Sequence, residues 1–118
     1  MEESGRLALM EDLAVLTQAR ALVAKGWCQG RLVDDEGSVC AVGAIYEVLV
    51  NRGLAGEFSA MDGWPPLRWY AQKALEDVLD WESYRSIFEF NDDQLTTQAD
   101  VLALYDMAIT KLKNQEVI

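Results

Sequence analysis

Ala41-Val42-Gly43-Ala44-Ile45-Tyr46-Glu47-Val48-Leu49-Val50-Asn51-Arg52 carries only two charged side chains, Glu47 and Arg52, in twelve residues. A surface helix divides into an apolar and a polar face; one that is apolar on nearly every side must be wrapped by other elements. The stretch therefore predicts a central helix from Ala41 to Arg52, ending before Gly53. Glycine inside a helix costs about 1 kcal/mol relative to alanine, so Gly43 predicts a close approach by another segment.

Working outward, Leu9, Leu13, Leu16, Ala19 and Val23 recur at three- and four-residue spacing and predict a first helix over Ser4–Lys25, stopped by Gly26. Between these helices, Gly30–Val33 and Ser38–Cys40 flank Asp34-Asp35-Glu36-Gly37, the pattern of a short β-hairpin whose turn uses a positive φ at Gly37. Downstream, residues 53–63 read as a loop, and Pro65 and Pro66 open a third helix reaching Leu79, with Leu67, Ala71, Ala74, Leu75 and Val78 inward. Residues 80–93 fit either a short helix or a strand around Tyr84–Phe90. A last helix begins at Gln98, with Thr97 as N-cap and Asp100 in the capping-box position; Val101, Tyr105, Ala108, Ile109 and Leu112 form its inner face. The expected fold is mainly α: a single domain over residues 1–118, a compact bundle of about four helices with a short β-hairpin between helices one and two.

With 118 residues, 51% of them hydrophobic, the chain has apolar material for a core without disulfide or metal staples. Met1-Glu2-Glu3 is acidic where a secretory signal is basic, and the apolar stretch Val39–Tyr46 is too short to cross a bilayer; the expected location is cytoplasmic, off the membrane. The chain has no histidine, which removes Ser-His and Cys-His nucleophiles and the usual histidine zinc sites. No glycine-rich phosphate loop is present. Setting Gly37 at the invariant glycine of an EF-hand loop places Leu32 and Gly43 where carboxylates are needed, so a solvated turn is expected there. Cys40 precedes a helix, the right place for a reactive thiol, but Val39, Ala41 and Val42 favour burial; Cys28 and Cys40 are expected to be reduced and unreactive. No catalytic residue, metal or cofactor is assigned.

Charge is unevenly spread. The net charge is −10, and from Glu76 to Asp106 nine acidic residues (Glu76, Asp77, Asp80, Glu82, Glu89, Asp92, Asp93, Asp100, Asp106) face Arg85 alone, a net of −8. Such a surface repels a phosphate backbone and anionic lipid, so neither direct nucleic-acid binding nor membrane association is expected. Asn91 and Asp92 admit two readings: a metal or acid/base pair, or an Asx-type turn feeding the Thr97 cap. Trp69 falls opposite the inward face of the third helix, where either the 53–63 loop or a partner must cover it.

Gly26-Trp27-Cys28-Gln29-Gly30, Val39-Cys40-Ala41-Val42-Gly43-Ala44, Asn91-Asp92, and Thr97 followed by Asp100-Val101-Leu102-Ala103-Leu104-Tyr105-Asp106 together resemble a family of small uncharacterised actinobacterial and actinobacteriophage proteins with no assigned activity. Such proteins usually show Trp where this chain has Phe90. The resemblance implies that Trp27, Cys28, Cys40, Asn91 and Asp92 meet in space, and a phage origin implies a host-interacting or regulatory role. The expected function is an acidic protein-binding module that docks a basic protein surface through Trp69, Glu82, Glu89, Asp92 and Asp93. The alternative is a small enzyme or metal site built around Cys28, Cys40, Asn91 and Asp92. A homodimer joined through helix three is a third arrangement.

Overall fold

The computed structural model describes residues 3–51 and 66–117, with side-chain surroundings for 12–51 and 71–115. Five α-helices lie among these residues: α1 (Glu3–Lys25), α2 (Ala41–Asn51), α3 (Pro66–Glu76), α4 (Ile87–Asp92) and α5 (Gln98–Val117). As its composition requires, α2 is wrapped, packing on α1, α3 and α4, while α5 closes the bundle against α1 and α3. Ala41, Val42, Gly43, Ala44, Ile45, Val48 and Leu49 are all buried. From α1 come Leu16, Ala19 and Val23, with Val15 added to the predicted face, and Leu13 is partly buried against them.

All five predicted inner positions of α5 are buried. Its first turn closes as a capping box: Asp100 Oδ2 accepts from the Thr97 amide at 2.9 Å, and Thr97 Oγ1 accepts from the Asp100 amide at 3.2 Å. In the ambiguous 80–93 stretch a short helix forms, from Ile87 to Asp92, preceded by turns. Ser86 caps α4, its Oγ accepting from the Glu89 amide at 3.1 Å, and Ile87 and Asn91 are its buried residues. The third helix is shorter than its pattern: beyond Glu76 the Val78 and Leu79 amides bond three residues back, to Leu75 and Glu76, so the chain tightens and leaves the α-helix. The predicted 53–63 loop and the Pro65 start lie outside the described residues.

The expected β-hairpin does not form. Among the described residues there is no sheet, only isolated bridges from Val39 to Trp27 and to Val33. Only a fragment of a ladder closes: the Asp34 amide donates to the Ser38 carbonyl at 2.9 Å and the Cys40 amide to the Leu32 carbonyl at 3.0 Å, while Val39 turns its own amide and carbonyl to Gly26 and Cys28, both at 3.0 Å. Asp34 Oδ1 meanwhile takes the amides of Glu36 and Ser38 at 3.0 and 2.9 Å, a side-chain turn competing with strand pairing. Gly37 does adopt the positive φ expected of it, at 86°, and Gly30 has one of 78°. No helix among the described residues is long and apolar enough to cross a membrane.

Candidate functional site

The connector between α1 and α2 and the end of α4 meet at Asn91, whose side chain is 1% exposed. A buried primary amide offers two donors and two acceptor sites, and each one left unmade is expensive. All four are used. Oδ1 accepts from Trp27 Nε1 at 2.8 Å and from the Ala41 amide at 3.0 Å; Nδ2 donates to the Cys28 carbonyl at 3.1 Å and to Asp92 Oδ1 at 3.0 Å. Asn91 thus caps α2 from a distance, since Ala41 opens that helix and its amide has no partner within it.

Neighbouring residues extend the latch. Asp92 Oδ1 also accepts from the Gly30 amide at 2.9 Å, and Gln29 Nε2 donates to the carbonyls of Asn91 and Asp93, each at 2.9 Å. The fully buried Tyr105 hydroxyl donates to the Ala41 carbonyl, fixing the start of α2 from the α5 side; burial raises this phenol's pKa well above its ordinary value. Gln98 Nε2 donates to the carbonyls of Val23 and Ala24 at 2.7 and 3.3 Å, covering exposed acceptors at the end of α1. Gln29 and Gln98 were not singled out from the sequence, because a glutamine near a helix end has no local signature for a carbonyl so distant in the chain.

Both cysteines are free. Cys40 occupies the N-cap of α2, and its sulfur accepts from the Gly43 amide at 3.2 Å. Burial nevertheless raises its pKa, outweighing the lowering effect of the Gly43 and Val42 amides. Cys28 is also raised, first by burial and then by Cys40 and Asp34; its thiol lies 3.3 Å from the Ser38 carbonyl. The thiolate is the reactive form, so both sulfurs should be poor nucleophiles at neutral pH. Under native conditions a thiol reagent should modify both far more slowly than in denaturant, Cys40 slowest, with rates rising only in the alkaline range. Labelling near the rate of free cysteine would contradict this.

The latch joins Gly26–Gly30, Cys40–Ala41 and Asn91–Asp92, while Thr97–Asp106 opens α5 and supplies Tyr105. Residues 9–111 match the profile of a family of unknown function, DUF6197. The chain belongs to the DUF6197 family. No match was found among curated proteins or among solved structures. In this DUF6197 chain Trp27, the Cys28 carbonyl, Asn91 and Asp92 share one hydrogen-bond set, with Cys40 adjoining through Ala41. The Asx-type turn expected of Asn91 and Asp92 is made by Asp93 instead, whose Oδ1 accepts from the Leu95 amide at 2.9 Å. That bond, followed by the one from the Tyr84 hydroxyl at 2.9 Å, holds the Asp93 carboxyl below its usual range. No group of three Cys, Asp or Glu suited to a metal ion occurs among the described residues.

The other candidate lies in the acidic half. Seven of its nine carboxylates have internal partners among the described residues. Asp106, for example, takes Arg20 in a two-point ion pair at 2.6 and 3.2 Å, joining α5 to α1. Of the predicted partner-binding carboxylates, Asp92 and Asp93 are engaged in this way. Glu82 and Glu89 are exposed, and no described side chain pairs with either. Trp69 lies on α3, with its side chain outside the described ones. Between the turn after α3, α4 and α5 runs a groove of about 360 Å³, with Leu79 and Leu104 at its base, Tyr84, Leu95 and Met107 along its sides, and Asp80 and Asp100 at its rim.

Proposed function

We propose that this protein is a binding module whose acidic half docks a basic, amphipathic region of a partner protein. The observation carrying this reading is a coincidence of charge and apolar exposure. Six large hydrophobic side chains are exposed among the described residues; three of them, Trp81, Phe88 and Leu95, fall in the acidic stretch, and a fourth, Met107, directly follows it. Leu95 is 85% exposed and Met107 50%. Apolar groups left in water beside carboxylates suit a partner presenting both hydrophobic and cationic side chains. Nucleic acid and anionic lipid carry the wrong sign, and a second copy meeting the same face would oppose like charges. The actinobacterial or phage origin suggested by the resemblance fits a regulatory role played through a host protein.

The latch supports the reading from the other side. Asn91 has no hydrogen-bonding capacity left for a ligand, and burial raises the pKa of both thiols, so these residues serve as a rigid support for the face. Backbone NMR of the protein titrated with a designed helix, leucine on one face and lysine on the other, tests the proposal. Shift changes concentrated in residues 80–107 are expected. Changes centred on residues 26–41, or none, would contradict it.

A further inference from the structure

The groove allows the partner to be specified further, resting on the reading above. We infer that it seats an apolar side chain of a basic amphipathic segment, with a lysine or arginine of that segment placed against Asp80 and Asp100. The groove's volume, about 360 Å³, lies within the range of ligand pockets and exceeds what one leucine side chain fills. Its base is core: Leu79 is 6% exposed and Leu104 3%. Its rim is charged, and the rim carboxylates are spent on backbone geometry without being neutralised. Asp80 accepts from the Glu82 amide and the Ser83 hydroxyl at 3.1 and 2.8 Å, and Asp100 closes the capping box. Neither has a cationic partner among the described residues, so each keeps its field at the groove mouth.

Charge complementarity selects the occupant. An apolar anchor flanked by a cation satisfies both the base and the rim, whereas an acidic or wholly apolar segment leaves the rim carboxylates facing a like charge or losing water without compensation. Tyr84 lines this groove and also a shallower depression formed with Phe88, Glu89, Asp92 and Asp93, so the surface continues along the segment past its anchor toward Glu89.

Two probe helices separate anchor from charge: the leucine–lysine helix, and the same helix with every leucine replaced by serine. Fluorescence anisotropy would compare wild type, Ala103→Phe and the double variant Glu82→Gln, Glu89→Gln. Ala103 is exposed on α5 and lines the groove, so phenylalanine fills the site from outside. Ala103→Phe is expected to bind the leucine–lysine helix about tenfold more weakly, the loss of one leucine anchor, and the serine–lysine helix as wild type does. The double amide should weaken both probes. Unchanged binding of the leucine–lysine helix to Ala103→Phe, with salt-sensitive binding retained, would overturn the groove inference alone. Failure of either probe to bind wild type at low salt would overturn the charge reading too. Should Ala103→Phe fold poorly by thermal melting, Leu95→Ser, at a position 85% exposed, takes its place with the same expectation.

Discussion

Asn91→Asp should destabilise the protein by about 3 kcal/mol at neutral pH, roughly 15 °C in melting temperature for a domain of this size. The change is isosteric, so packing is conserved and only hydrogen bonding and charge differ. Asparagine donates through Nδ2 to the Cys28 carbonyl and to Asp92. A carboxylate offers acceptors to both and brings a charge into a site 1% exposed. Burial and the neighbouring carboxylate would raise the new group's folded pKa above its unfolded value. Its deficit relative to wild type should therefore be greatest at neutral pH and shrink as acid protonates it. Asn91→Ala should cost a similar amount, since it strands Trp27 Nε1 and the Ala41 amide, but without that pH dependence. Chemical denaturation of the three proteins across pH provides the check. Equal deficits for Asp at acidic and neutral pH would mean that the amide's donors are not what matters.

Gly43→Ala is the second large effect, and its sign runs against helix propensity. In an unobstructed helix the change gains about 1 kcal/mol. Here a Cβ at position 43 would stand 2.0 Å from the Leu32 carbonyl oxygen and 2.7 Å from its carbon. Both are backbone atoms, and the same oxygen accepts from the Cys40 amide at 3.0 Å, so the connector cannot retreat without breaking the α2 entry. A net loss of about 3 kcal/mol is expected, at the upper end for overpacking. Gly37→Ala is the contrasting case: its Cβ would meet nothing within 4 Å, and only the φ of 86° opposes it, a cost of about 1 kcal/mol. Denaturant midpoints rank the two variants, and a neutral Gly43→Ala would show that the connector does not press on α2.

What could be read from the sequence was local. Thr97 and Asp100 lie three residues apart, so their reciprocal bonds were predictable; Gly43 announced a close contact through its own propensity cost; and the α5 inner face followed from periodicity. Long-range polar bonds gave no such sign in spacing or periodicity; only the resemblance implied that Asn91 and Asp92 meet Trp27, Cys28 and Cys40. Asn91 bonds to residues 64 and 50 positions away, and nothing beside it distinguishes that role from a turn, so the turn was assigned one or two residues early. The hairpin failed for a local reason: its alternation was present, but the Asp34 side chain takes the Ser38 amide that the next rung of a ladder needs. The acidic run, read as surplus charge, proved to consist largely of caps and internal pairs, leaving Glu82 and Glu89 as the carboxylates without such work.

Those two residues give the most direct test of the docking account. The association rate of the leucine–lysine helix should be measured for wild type and for the double variant Glu82→Gln, Glu89→Gln across a salt series. Exposed charges are screened over about 8 Å at physiological ionic strength, and steering acts on the association rate before the dissociation rate. The wild-type rate should fall steeply as salt rises, and the double amide should start slower and fall less steeply. Equal rates with a flat salt dependence would show that the acidic face is merely solvated and that the protein binds its partner elsewhere.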